Sequence, residues 1–339
     1  MPAPLLPCPT DNPDSAVIER AASVLRAGGL VAIPTETVYG LGANALDTAA
    51  VASIFTAKGR PSSDPLIVHI DTLAMAPQVV DGDFPTPARI LADAYWPGPL
   101  TLVLPRHPSV PAAVASGLPL VGVRCPAHPT AQAIISAAGV PIAAPSANRF
   151  GRISPTRASH VAAELGDRID LIVDSGPCSA GVESTVVSFD GDMAVVLRHG
   201  AIPLESIASH VAVRSIDTTS DTAIASPGHD ERHYSPGIPT TTVIAGFDPS
   251  HAPPGNVRYL GYEGEEPELP AGWSFVPLGS RSDLDAIAHD LYDVLRRADV
   301  AAPTRIIAEL TGEAGIGRAI DDRLSRAGSS RIARSVADL

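Results

Sequence analysis

The stretch Leu30-Val31-Ala32-Ile33-Pro34-Thr35-Glu36-Thr37-Val38-Tyr39-Gly40-Leu41-Gly42 begins with four apolar residues and changes character at a proline. The apolar run follows Gly28-Gly29 and reads as a short buried strand. The segment before it reads as a helix: Asp14 or Ser15 can cap it, Val17, Ala21, Val24 and Leu25 recur at helical spacing, and the glycine pair stops it. A polar turn bearing threonine hydroxyls, the Glu36 carboxylate and the Tyr39 phenol therefore sits at a strand exit, where α/β proteins commonly bind ligands. Gly40 and Gly42 are expected to let another molecule approach the backbone. Taken alone, the segment also reads as an ordinary polar turn.

Outward from this point the pattern continues. A helix is expected over 48–57 and a strand over 65–70, with further strands at 100–104, 120–124, 141–144 and 170–174. Helical stretches near 87–95, 130–138 and 156–165 separate several of them. Segments 185–189 and 193–198 flank Asp190-Gly191-Asp192, a hairpin signal. Mixed strands with interleaved helices predict an α/β domain over 14–209, a twisted open mixed sheet. From 210 to 239 the chain is rich in Ser, Thr, Asp, Pro and Gly without periodicity, and reads as a linker. Strand and helix alternate again over 240–339: strands at 240–245, 257–262 and 305–310, helices at 283–295 and 318–327. A smaller Rossmann-like domain is expected there.

Bulk properties narrow the function. With 339 residues and 45% hydrophobic residues the chain can build two cores, and with 4% aromatics those cores must rest on Ala, Val, Leu and Ile. A formal charge of −13 repels nucleic-acid backbones at long range, so general RNA coating is excluded and little direct nucleic-acid binding is expected. Cys8, Cys125 and Cys178 lie far apart, which excludes a disulfide framework and argues against a thiolate metal site. The first 13 residues carry no basic start and no apolar run, and no stretch has membrane-spanning length, so the expectation is a cytoplasmic protein.

Several segments could carry chemistry. In Ala57-Lys58-Gly59-Arg60-Pro61 two cations flank a glycine, and such a stiffened loop can grip phosphate oxygens, although cations also complement helix C-termini. Neither GxxxxGK[ST] nor GxGxxG is present. His69 lies in a strand, and Arg124 ends another, where it needs an anionic partner from the protein or a ligand. Ala144-Pro145-Ser146-Ala147-Asn148, Ser154, Gly181-Val182-Glu183-Ser184-Thr185 and Arg198-His199-Gly200 add hydroxyls, small residues and a further cation. No nucleophile–base–orienter triad and no metal-ligand cluster is discernible, so the set favours positioning of anions over covalent catalysis.

The order of these pieces, PTETVYGLG (34–42), AKGRP (57–61), PLIVHI (65–70), WPGPLTLVL (96–104), VGVRCP (121–126), APSAN (144–148) and GVESTVV (181–187), resembles the YrdC-like threonylcarbamoyl-AMP synthases. SPGHDERHYSP (226–236) and AIDDRLSRAG (319–328) resemble the longer, two-domain branch. The resemblance implies a concave, positively lined pocket. In it Thr37, His69, Arg124, Ala144 and Ser184 match threonine-side positions, and Arg60, Asp64, Leu120, Ser146, Ser154, Arg198 and Tyr234 match ATP-side positions. Lys58 and Asn148 fall in the same motifs, and Lys58 and Arg60 are the expected catalytic cations. Asp64 stands where the family more often has asparagine, and Leu120 where a hydroxyl residue is common. Asp64 must then face a cation or Mg²⁺, and Leu120 can act only through its backbone.

The implied reaction joins L-threonine, bicarbonate or CO2, and ATP into threonylcarbamoyl-adenylate with release of pyrophosphate. Mg²⁺ enters with the nucleotide, protein side chains supply no metal ligand, and the product passes to a tRNA threonylcarbamoyl transferase. The linker, through Tyr234, is expected to close over the pocket as a lid. The competing classes are a double-stranded-RNA-binding module and a carbamoyltransferase-type domain.

Overall fold

The computed structural model describes residues 2–215 and 234–339. Of the expected linker and lid over 210–239, residues 216–233, with His229, Arg232 and His233, lie outside the described residues. The described chain forms two compact units, one of residues 2–150, 154–179 and 183–215, the other of residues 151–153, 180–182 and 234–339.

In the first unit the elements run β1 (Leu5–Pro7), α1 (Ser15–Arg26), β2 (Val31–Ile33), β3 (Gly40–Asn44), α2 (Thr48–Lys58), β4 (Ile67–His69), α3 (Thr86–Tyr95), β5 (Leu100–Pro105), β6 (Leu120–Arg124), α4 (Pro129–Ala138), β7 (Ile142–Ala143), α5 (Ala158–Leu165), β8 (Leu171–Asp174), β9 (Thr185–Asp190), β10 (Met193–Arg198), α6 (Leu204–Ala208) and β11 (Val213–Ser215). The helix ends follow local chemistry. The Asp14 carboxylate accepts from the backbone N–H of Ala16 and Val17, Asp47 does the same for Ala49 and Ala50, and Gly59 ends α2 in the left-handed region at φ 64°.

The strands make one mixed eleven-stranded sheet in the order β1-β8-β2-β3-β7-β4-β6-β5-β9-β10-β11. At its centre β4 and β6 run parallel with His69 opposite Arg124, and β5 runs antiparallel to β6 with Thr101 opposite the same arginine. The hairpin β9–β10 turns through Gly191-Asp192, with Gly191 at φ 57°. A bulge follows: Val196 faces Val187 but Arg198 faces Val186, so the extra residue Leu197 re-aims Arg198.

Two sequence expectations need correction here. Gly40 and Gly42 belong to β3, antiparallel to β2, rather than to the turn. A Cβ at Gly40 would lie 3.2 Å from Ala144 Cβ, and one at Gly42 3.0 Å from Ile142 Cγ2. The space these glycines create is filled by the neighbouring strand and not by a ligand. Tyr39 is fully buried and donates its hydroxyl to Gly176 O at 2.7 Å, which makes it a structural anchor. Outside the expected set, the structure adds β1, β3, α6, β11 and, in the second unit, two further strands.

The second unit carries β12 (Thr240–Val243), β13 (Val257–Gly261), β14 (Trp273–Pro277), α7 (Leu284–Val300), β15 (Arg305–Glu309), α8 (Gly317–Ala327) and β16 (Ile332–Ala333). Its sheet is parallel throughout, in the order β14-β13-β15-β12-β16, with α7 and α8 as the crossover helices. Val243, Val257, Tyr259 and Ile307 are at the centre of its core. This is an α/β unit of the Rossmann-like kind, with the first and fourth strands exchanged relative to the usual 3-2-1-4-5 arrangement. No described helix is long and apolar enough to cross a membrane.

Gly200, two residues after β10, packs on the backbone leading into β9, and a Cβ there would lie 2.4 Å from Glu183 O, Ser184 C and Thr185 N. Backbone has to shift to admit it, so Gly200→Ala should cost about 2–3 kcal/mol in unfolding free energy, read from the urea midpoint. An unchanged midpoint would show that this junction is loosely packed.

Candidate active site

Arg124 ends the central strand β6 with its side chain buried. Nη1 donates to Thr37 Oγ1 at 2.8 Å, Nε donates to Gly98 O at 3.3 Å, and Nη2 lies 2.6 Å from Glu36 Oε1 in an ion pair off hydrogen-bond alignment. Glu36 is the anionic partner that a buried arginine requires; the sequence marks it as the carboxylate of a polar turn but assigns it no partner and no place among the site residues. The signal was available, since Glu36 is the lone carboxylate in the 34–42 segment. The turn itself is stiff. Thr35 Oγ1 donates to Val38 O at 2.6 Å and lies 2.8 Å from Thr37 Oγ1. Burial pushes the Glu36 carboxyl up, but the Arg124 guanidinium, with help from the Ala127 backbone N–H, outweighs it and holds the group below the usual range.

The other positions expected on the threonine side gather around this arginine. His69 is its register neighbour on β4. On the other side Thr101 Oγ1 sits 2.8 Å from Ser184 Oγ. Ala144 donates its N–H to Ile67 O at 2.9 Å, which places it at the start of β4, two residues before His69. Thr101 is a second residue that sequence reading missed: a single hydroxyl in an otherwise apolar strand was the only trace of it.

The positions expected on the ATP side form smaller groups. Arg60 and Asp64 make a buried ion pair at 2.8 Å, and Arg60 also donates to Pro65 O at 2.8 Å. The carboxylate that departs from the family pattern thus does face a cation. Lys58 Nζ donates to Ser146 O and Asn148 O, each at 2.5 Å, so it braces the APSAN loop. Burial, reinforced by Arg60, pushes its ammonium well below the usual lysine range. Arg198 donates through Nη2 to Ser184 O at 3.0 Å and to Ser184 Oγ at 3.2 Å, tying this group to the Arg124 cluster. Ser154 donates to Glu183 Oε1 at 2.6 Å.

Two residues stand apart. Leu120 begins β6, four residues before Arg124 and therefore about 13 Å away along an extended strand. Its side chain packs on Val103, Val186, Val195 and Leu197. Tyr234, buried at φ 58°, belongs to the second unit, where it stacks on Tyr292 with ring centroids 5.8 Å apart and lies under the Arg323 guanidinium.

Known proteins match this chain along nearly its whole length. A family profile described as "Telomere recombination" matches residues 23–200, and one described as "Threonylcarbamoyl-AMP synthase, C-terminal domain" matches residues 202–329. The threonylcarbamoyl-AMP synthase of Bacillus subtilis is 41% identical over 94% of this chain and 94% of its own length. The chain belongs to the threonylcarbamoyl-AMP synthase family. That of Schizosaccharomyces pombe is 36% identical over 93% of this chain and 88% of its own. The crystal structure of the Pyrococcus abyssi protein complexed with L-threonine superposes with a TM-score of 0.83 at 35% identity, covering 98% of this chain and 99% of that one. The synthase fold is thus present in both units, and the motifs of the first unit converge on buried cations.

His69 gives a direct test of the electrostatics. Burial and the adjacent Arg124 guanidinium push its imidazole down to about 3. In the unfolded chain it titrates near 6.5, so below that pH the unfolded state binds more protons than the folded one. Stability should therefore fall as pH drops from about 6.5 toward 3, with this group contributing up to about 1.4 kcal/mol per pH unit. His69→Gln removes that component, and its stability, followed by urea unfolding between pH 6 and 4.5, should decline less steeply than that of the wild type. Parallel curves would mean that His69 is not held neutral.

Proposed function

We infer that this chain makes threonylcarbamoyl-AMP from L-threonine, bicarbonate or CO2, and ATP, releasing pyrophosphate, for threonylcarbamoyladenosine formation in tRNA. The observation that carries the reading is the full-length match to the Bacillus subtilis synthase at 41% identity. The buried cation clusters support it, because the reaction accumulates negative charge and needs fixed positive groups.

In this reading Arg124, Thr37, His69, Ala144 and Ser184 hold threonine. Arg124 receives the carboxylate, while Ser184 and neutral His69 offer hydrogen bonds to the hydroxyl and amine. The amine captures CO2 or bicarbonate as a carbamate, whose oxygen attacks the α-phosphorus of ATP and expels pyrophosphate. Arg60 and Arg198 stabilise the phosphoryl oxygens and the leaving group. Asp64 orients Arg60 through their 2.8 Å ion pair. Lys58 shapes the Ser146–Asn148 loop through its carbonyls, with Asn148 at the phosphates and Ser146 and Ser154 at the nucleoside. Leu120 contributes backbone only. Tyr234 and the linker close over ATP, and Mg²⁺ arrives with the nucleotide, held by phosphates and water. The boundaries 14–209, 210–239 and 240–339 separate catalytic domain, lid and Rossmann-like domain. The enzyme works in the cytoplasm and hands its labile product to a tRNA threonylcarbamoyl transferase without binding nucleic acid strongly itself.

Pyrophosphate release should require ATP, threonine and bicarbonate together, and release that persists without threonine would refute the assignment. Arg60→Ala should lose on the order of 2 kcal/mol or more in kcat/KM, about thirtyfold, while remaining folded by circular dichroism. A site built to hydrogen-bond a hydroxyl rejects an analogue lacking one, so valine should be a far poorer substrate than threonine, and serine an intermediate one. Equal kinetics with valine would rule out a hydroxyl-reading pocket.

A further inference from the structure

The Arg124 guanidinium has neutral acceptors on two of its nitrogens, Thr37 Oγ1 on Nη1 and Gly98 O on Nε. Its charge is met by Glu36 alone among the described ion pairs, at 2.6 Å from Nη2. The arginine side chain is 4% exposed and the glutamate 11%, so neither can exchange its partner for bulk water. We propose that Glu36 is a positioning residue for threonine recognition: it fixes the Arg124 guanidinium and acts on threonine through that arginine. The inference rests on the reading of Arg124 as a threonine-side group.

Two observations support it. Glu36 and Thr37 are consecutive, yet they take the two terminal nitrogens of one guanidinium, so the turn reads its edge as a unit. Thr35 locks that turn by accepting from the N–H groups of Thr37 and Val38 and donating to Val38 O. Removing the Glu36 charge would leave a buried cation with only neutral acceptors, free to turn away from the carboxylate it is meant to receive.

The test uses the full chain, steady-state pyrophosphate release and four variants. Glu36→Gln, which keeps size but not charge, should raise KM for threonine about tenfold or more, with KM for ATP within about twofold and kcat within about threefold of wild type. Glu36→Asp should recover part of the loss. Arg124→Gln should also raise KM for threonine, and Glu36→Gln added to Arg124→Gln should raise it no further, because the glutamate acts only through the arginine. That double variant buries no unpaired charge and carries the test if Glu36→Gln alone does not fold. A threonine KM within twofold of wild type for Glu36→Gln, or fully additive losses in the double variant, would overturn the inference while leaving the site reading intact. An unchanged threonine KM in Arg124→Gln would overturn both.

Discussion

A guanidinium inside a protein must find acceptors for its N–H groups and a compensating charge, because the cost of leaving it bare is several kcal/mol. Much of the first unit is arranged to meet that requirement at Arg124. Its strand β6 lies between β4 and β5, so the arginine has His69 on one side and Thr101 on the other. The turn after α3 brings Gly98 O to Nε, and the same glycine donates its N–H to Cys125 O at 2.8 Å, which fastens the turn to the residue after the arginine. The turn after β2 supplies Thr37 and Glu36. The turn after β2, strand β4 and the Gly98–Thr101 stretch are far from one another in sequence, and the arginine is where they meet.

The same logic extends to the other cations. Lys58, Arg60 and Arg198 are all buried, and each is held by carbonyls, hydroxyls or a carboxylate of the protein. Groups fixed in this way need no reorganisation when negative charge develops nearby, which is the basis of electrostatic preorganisation. It also explains how a chain of net charge −13 can serve anionic substrates. The acidic excess governs long-range encounters, whereas the interior cations act over a few ångströms in a low-dielectric setting. Asp64 belongs to this scheme as the carboxylate that compensates Arg60, 2.8 Å from its guanidinium.

Where the sequence misled, the cause was a missing neighbour. Gly40 and Gly42 look like loop glycines until β7 and the segment after it are laid against β3, when the absent Cβ atoms become the condition for strand packing. Glu36 looks like one polar residue among several until Arg124, 88 positions later, comes within 2.6 Å. The bulge at Leu197 that turns Arg198 toward Ser184 has no sequence signal of its own, since it depends on pairing with β9.

The sequence by itself determined what short-range physics can encode. Apolar runs set the buried strands, Asp14 and Asp47 set helix starts, Gly59 and Gly139 set helix ends, and Asp190-Gly191-Asp192 set the hairpin. It also determined the family, because seven motifs in a fixed order form a pattern that chance does not supply. Only the tertiary structure decided which charges pair, which glycines serve packing and which residues share the site. Pairing depends on distances between segments up to 100 or more residues apart, and it emerges only when strand order and register bring Thr37, His69, Arg124 and Ser184 to one end of the sheet.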